Sequence, residues 1–424
     1  MKRIPVLLFV LLYSCSLIAQ KDCGLNLYRQ ALLGRYPALA TYFHAFDSVK
    51  PKHLIPFRPG QNFDTLISAA PPKPIPASIS IPVVVHIVWN NEADNITDAA
   101  VLTQLAILNQ DFNGLNADRS KIPSYFSSLA ADCGIRFVLA HSNEEGEPTT
   151  GIVRTRTSVA SFGFDDRVKS SSTGGDDAWD ASSYLNIWVC RLSAGVSGYA
   201  SVPGGPAAID GVVISSNAFG VHSGPGACNG GRTLVHETGH WLNLRHIWGD
   251  ASCGDDLVED TPPQQGANRG CNSGEKFSCG SSAHGDMYMN FMDFTDDACM
   301  YMFTIGQRQR MRSSFEPGGA RNSILYSKAL AGEGLLPLQN EENTNQLSVQ
   351  LFPNPASSQL MLRVSGEAYQ HSNVYICNQL GQVVKQLVLQ SRQQQVDISQ
   401  LQPGLYFIKM EGAASNGMKK FVKQ

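Results

Sequence analysis

The sequence predicts an α/β or α+β domain followed by a small all-β sandwich, and three observations predict it. Apolar, β-branched runs alternate with a helical stretch in the middle of the chain. A histidine-rich segment, TLVHETGHWLNLRHIWGD from Thr233 to Asp250, has the spacing of a second helix. Beyond Gln346 the pattern changes to short alternating strands between turn residues. A chain of 424 residues exceeds one ordinary core, so two or three folded units plus processing segments are expected.

The N-terminus, MKRIPVLLFVLLYSCSLIAQ, has two cations, an apolar run from Ile4 to Tyr13, then small and polar residues. This is the layout of a secretory signal peptide over residues 1–20, so the mature chain is expected outside the cytoplasm. The apolar run is too short to span a bilayer and none downstream is longer, so no transmembrane segment is expected in the mature chain. Cys15 could suit a lipid anchor, but the bulky Tyr13 stands where a small residue is wanted. Lys and Arg total 33 against 36 Asp and Glu, a net charge of −3. That gives no basic field for nucleic acid, which is not expected as a partner.

Residues 21–78 begin with a mixed helical stretch, KDCGLNLYRQALLGRYPALATYFHAF, and run into a proline-rich linker, AAPPKPIPASISIP, from Ala69 to Pro82. Proline lacks an N–H, so a domain boundary is placed there. The main domain, residues 79–330, opens with IPVVVHIVW, which reads as a buried strand. ITDAAVLTQLAILNQDFNG follows at helical spacing, with Thr97 as N-cap and Gly114 past the end. GIRFVLA, YLNIWVC and GVVISS read as further strands of one sheet. Residues 331–346 form a polar linker, and residues 347–424 the sandwich, whose strands alternate between Asn-Pro, Leu-Gly and Pro-Gly breaks.

Of ten cysteines, Cys253, Cys271, Cys279 and Cys299 crowd into the segment after the histidines. In an exported chain they read as a disulfide framework. A four-thiolate zinc site is disfavoured because none belongs to a CxxC pair. The pairing of Cys133, Cys190, Cys228 and Cys377 is left open.

On a helix, residues four apart share a face, so His236 and His240 can present imidazoles to one ion with Glu237 beside them. His246 can join them only if the helix stops and the chain turns back. Asn243 tolerates the left-handed conformation such a stop requires, although glycine would do so with less strain. Three neutral imidazoles suit a zinc ion and leave a fourth position for water, which the ion acidifies. Glu237 is then the general base for attack of that water on a peptide carbonyl, and hands the proton to the leaving amine.

HETGHWLNLRH together with NFMDF resembles the zinc helix and Met-turn of the metzincin metallopeptidases. The longer stretches GRTLVHETGHWLNLRHIWGD, DLVEDTPPQ and GDMYMNFMDFTDDACMYMFTIGQRQRM resemble the pappalysin family, over roughly Ile79 to Ser327. The resemblance implies an α/β subdomain ending at the active-site helix, followed by an irregular disulfide-bonded subdomain. It implies zinc ligation by His236, His240 and His246, catalysis by Glu237, and Met292 as the Met-turn residue. It also implies the bridges Cys253–Cys279 and Cys271–Cys299, and a calcium loop with Asp256 and Thr261 as ligands.

Two positions depart from the family pattern. Asn243 replaces a glycine, and Phe294 stands where related enzymes carry a tyrosine whose hydroxyl can stabilise the oxyanion. Cys23, in DCG near the start of the mature chain, resembles a cysteine switch, a thiolate on zinc that keeps the enzyme a latent zymogen. The tail, with FPNP, GLYFIKM and MKKFVKQ, resembles the C-terminal sorting domain of the type IX secretion system of Gram-negative bacteria, and a generic immunoglobulin-like binding module is the bland alternative. The expected product is a secreted or cell-surface zinc endopeptidase acting on proteins or peptides. Asp296 and Asp297, near the Met-turn, suggest a preference for Arg or Lys after the scissile bond. The competing reading, motivated by Phe294, is a catalytically weak or inactive zinc-containing surface adhesin.

Overall fold

In a computed structural model the described residues are 23–40, 75–193, 195–223, 226–280, 284–330, 348–365, 373–378, 382–391, 393–410 and 419–424. The signal segment 1–20, residues 69–74 of the proline-rich linker and the linker 331–346 lie outside them. Two compact units divide at Leu335/Leu336.

The larger unit is built on a six-stranded mixed sheet. Strand β1 (Ile79–Trp89) is its centre and is buried along almost its whole length. One edge of β1 pairs in parallel first with β2 (Ile135–Leu139) and then with β3 (Ile152–Arg156), and the other with β4 (Leu185–Cys190). Beyond β4 come β6 (Val212–Ser215) and then β5 (Gly198–Ala200), which is antiparallel to β6 and forms the end of the sheet. Burial on both faces explains the continuous apolar run of β1, since parallel strands under cover have no solvent side to make polar. Each fully buried Val or Ile there contributes roughly 1.5–3 kcal/mol relative to exposure.

On one face, Val83, Val85 and Ile87 of β1 pack into a core shared with helix α2 (Asp98–Phe112) and helix α3 (Arg232–Trp241). Thr97 caps α2 by accepting the Ala100 N–H, and Gly114 lies beyond its end with φ 58°. On the other face, Val88, Trp188 and Tyr199 join a second cluster with Tyr28 and Leu32 of helix α1 (Leu25–Arg35). Strands β3 and β5 carry no pattern that marked them in the sequence. β3 is half-exposed, and β5 is three residues long and contains glycine.

The segment after α3 is irregular. Disulfides Cys253–Cys279 and Cys271–Cys299 tie its loops together. Helix α4 (Ile305–Ser313) closes it, capped by Thr304 and Gln307, which exchange side-chain and backbone hydrogen bonds. Cys133 and Cys190 are buried and form no disulfide.

The smaller unit is a sandwich of β7 (Ser348–Phe352), β8 (Gln359–Ser365), β9 (Asn373–Cys377), β10 (Val383–Val388), β11 (Gln393–Asp397), β12 (Gly404–Met410) and β13 (Lys419–Lys423). Its two sheets, ordered β10-β9-β12-β13 and β11-β8-β7, enclose Leu360, Leu362, Val374, Ile376, Ile408 and Phe421.

Candidate active site

Helix α3 begins where Gly231, at φ 75°, turns the chain into it. The Asp297 carboxylate accepts the N–H groups of Gly230 at 2.9 Å and Arg232 at 3.0 Å, a negative charge against the positive end of the helix. Asp297 is fully buried in this role. Both bonds use Oδ2, so the carboxylate expected to contact substrate also serves the helix start. Asp296, the other residue of the pair, is partly exposed.

The helix ends as the chain turns left-handed at Asn243, φ 81°, and Leu244 N–H reaches back to the Gly239 carbonyl at 2.9 Å. Arg310 of α4 holds that turn, donating to the Asn243 carbonyl at 2.7 Å and to its side-chain oxygen at 3.2 Å. A glycine could not receive the second bond. The stop swings His246 back beside the helix.

His236, His240 and His246 are at most 1% exposed. Their Nδ1 atoms are engaged by the Phe291 carbonyl at 2.7 Å, the Leu244 carbonyl at 2.8 Å and the Asp250 carboxylate, respectively. Each Nδ1–H donates outward, so each Nε2 keeps its lone pair, and the Nε2 atoms converge at 3.0 and 3.2 Å from one another. Burial, and then the neighbouring His246, push His240 down to about 3, which keeps its ring neutral. The Cys23 Sγ joins the three imidazoles, all four ligand atoms lying within 4.8 Å of one another. This borderline-soft, neutral-nitrogen donor set fits zinc rather than a hard cation.

Glu237 is 1% exposed, and its Oε2 lies 3.5 Å from the Cys23 sulfur. Burial, and then the Glu237 charge, push the Cys23 thiol well up from its ordinary value. Beneath the histidines, Met292 packs so closely on α3 that a Cβ at Gly239 would meet its sulfur at 2.5 Å. Asn290 fixes this turn, receiving the Met292 N–H at 2.9 Å and exchanging two side-chain bonds with Gln307 of α4. The Phe294 ring lies 4.9 Å from the ring of His246 and 5.6 Å from that of His236, with Arg269 over it at 5.4 Å. Trp248 stacks on His246 at 4.4 Å.

Asp256 and Thr261 also meet: the Thr261 hydroxyl lies 2.8 Å from both Asp256 Oδ1 and the Val258 carbonyl. Asp256 is 4% exposed, and its Oδ2 has no hydrogen-bond partner among the described residues. Burial pushes this carboxyl up to about 7, against the hydrogen bonds from Thr261 and Val258.

Sequence reasoning missed Asp250, Gly239, Arg310 and the helix-capping role of Asp297. Only Asp250 had a local signal, sitting four residues after His246.

A sheet with an antiparallel end strand, a histidine helix broken by a left-handed turn and a methionine beneath it define a zinc metalloendopeptidase of the metzincin class. Residues 169–316 match the family described as pregnancy-associated plasma protein-A, peptidase M43, and residues 350–424 match the secretion system C-terminal sorting domain. An extracellular metalloprotease of Pyricularia oryzae is 30% identical over 56% of this chain and 76% of its own. Tannerella forsythia mature mirolysin, solved with a cleaved peptide, is 45% identical with a TM-score of 0.59, over 60% of this chain and 98% of its own. A Tannerella forsythia promirolysin variant is 39% identical with a TM-score of 0.62, over 73% and 98%. The chain belongs to the pappalysin family of metallopeptidases and carries a type IX secretion sorting domain at its C-terminus. This membership favours an enzyme over the adhesin that Phe294 had suggested. Among the described residues no helix is long and apolar enough to cross a membrane.

Proposed function

We propose that the protein is made as a latent zymogen and, once residues 21–78 are removed, cuts extended polypeptides with Glu237 as the general base. The observation that carries this reading is the meeting of Glu237, three inward-facing Nε2 atoms and Cys23 at one point. Zinc, when bound by His236, His240 and His246, supplies the Lewis acid that polarises the scissile carbonyl and acidifies the attacking water. Glu237 takes the proton of that water at its carboxylate and passes it to the leaving nitrogen. Asp250 and the Phe291 and Leu244 carbonyls keep the imidazoles oriented, and Met292 supports them from below. Substrate joins β5 by main-chain hydrogen bonds, the edge that Gly24 N–H occupies in the latent form by bonding the Gly198 carbonyl at 2.8 Å.

The remaining assignments belong to the same reading. Asp296 favours Arg or Lys after the scissile bond. Calcium binds at Asp256 and Thr261, since a buried carboxylate oxygen without a hydrogen-bond donor suits a hard cation. A signal peptide over residues 1–20 takes the chain to the periplasm, and the sorting domain engages the type IX machinery for release to the surface or medium.

The test is hydrolysis of casein by the chain freed of its prosegment, with and without a chelator, beside Glu237→Ala. Chelator-sensitive cleavage that the variant loses supports the reading. Intact casein despite one bound zinc per chain would refute it. A peptide library cut without preference for Arg or Lys would remove the specificity assignment alone.

A further inference from the structure

The catalytic arrangement leaves one buried ion pair without a task. Lys169 and Asp166 approach at 2.9 Å with side chains 0% and 3% exposed, on the β5 side of the sheet. The ammonium sits amid three aromatic rings, 5.0 Å from the centroid of Tyr28, 5.4 Å from that of Trp188 and 5.1 Å from that of Tyr199. It donates to the Ile209 carbonyl at 2.7 Å and, weakly, to the Tyr28 hydroxyl at 3.4 Å. Tyr199 is fully buried, yet its hydroxyl has no hydrogen-bond partner among the described residues.

One wall of this chamber does not belong to the peptidase domain. Tyr28 comes from α1, in the segment removed on activation, and its ring lies 4.8 Å from that of Tyr199. Its departure reopens a cavity walled by aromatic faces, with an ammonium, a carboxylate and an unpaired phenol. Cation–π attraction and hydrogen bonding there suit another phenol, while an aliphatic side chain would leave the buried polar groups unmatched.

The cavity is continuous with the substrate edge, because Tyr199 is itself in β5. Cys23 pairs with Gly198 in the parallel sense, so the prosegment runs from the zinc ligands toward the Ala200 end. A strand joining β5 antiparallel would send the residues preceding its scissile bond along the same path. Gly24, at φ −82° and ψ 4°, already accepts the Tyr28 N–H, so one extended step and four helical ones separate Cys23 from Tyr28, roughly 9 Å, which an extended peptide covers in about three residues.

We propose that the Tyr28 cavity is a substrate subsite of the activated enzyme, selective for a tyrosine about three residues before the scissile bond. The prosegment then blocks the enzyme twice, at the zinc ligands and in this subsite. The inference rests on the reading of β5 as the strand that substrate joins.

The test uses protein activated from the full chain and a peptide series in which one tyrosine, phenylalanine or alanine moves through the positions preceding the bond. Tyrosine should raise kcat/KM about tenfold over alanine at one position, with phenylalanine between them. Lys169→Met should lower the tyrosine-to-alanine ratio severalfold, leaving what packing on the remaining rings supplies. Tyr199→Phe, which removes one atom and keeps the ring, should lower the tyrosine-to-phenylalanine ratio and carries the test should the first variant misfold. No selectivity at any preceding position, or ratios unchanged in the variants, would overturn the proposal. Binding of the same peptides to activated Glu237→Ala protein separates two failures. Tyrosine-selective binding without wild-type hydrolysis would sink the catalytic reading and keep the subsite, and hydrolysis without selectivity would do the reverse.

Discussion

The Cys23 sulfur and the Glu237 carboxylate lie 3.5 Å apart although 214 positions separate them in the chain. Under the proposed mechanism, a thiol aimed at the candidate general base would stand where attacking water has to be. Exchanging Cys23 for alanine in the uncleaved chain should therefore raise hydrolysis by about tenfold. Release should be partial, because α1 still holds Tyr28 and Leu32 at 1% exposure. An unchanged rate from uncleaved Cys23→Ala protein would assign latency to α1 instead.

Phe294 contacts the rings of His236 and His246 but offers no hydrogen-bond donor. Phe294→Tyr adds one hydroxyl beside the candidate zinc ligands His236 and His246. If oxyanion stabilisation limits turnover, kcat should rise by up to about a hundredfold, the lower end of what one donor contributes, with KM little changed. A rate equal to wild type would mean that another group already supplies the donor.

Asn243 combines a left-handed backbone with a side-chain bond from Arg310. Asn243→Ala should lower stability by about 1–3 kcal/mol, because it keeps a Cβ at positive φ while losing both the Arg310 bond and the short polar side chain that lets asparagine tolerate that backbone. Asn243→Gly relieves the strain and loses only the bond, so its midpoint in urea should fall closer to wild type. Equal losses in the two would show that strain does not matter at this turn.

Asp293 follows Met292 and is fully buried, accepting from Gln264, Asn268 and the Phe294 amide. Burial pushes it up to about 6 from an ordinary 3.8, against those hydrogen bonds. A raised carboxyl favours the protonated folded state. Its contribution is complete below about pH 4 and is lost as pH rises through about 6, by up to about 3 kcal/mol. Urea unfolding across that window should show the decline, and Asp293→Asn should flatten it whatever its effect on absolute stability. The same slope in the variant would exclude Asp293 as its source.

The sequence by itself determined the histidine helix, its stop and the change to short strands beyond Gln346. Those features are local: imidazoles four residues apart share a helix face, Asn243 tolerates positive φ, and alternating short strands mark the sandwich. Only the tertiary structure decided that Asp297 caps α3, since adjacent carboxylates look alike until one of them meets a helix start. It alone brought Cys23 to Glu237, and Tyr28 to Lys169 and Tyr199. It also revealed β5, too short and too glycine-rich to announce itself. Such pairings join distant segments through burial and sheet order, and no local spacing of residues encodes them.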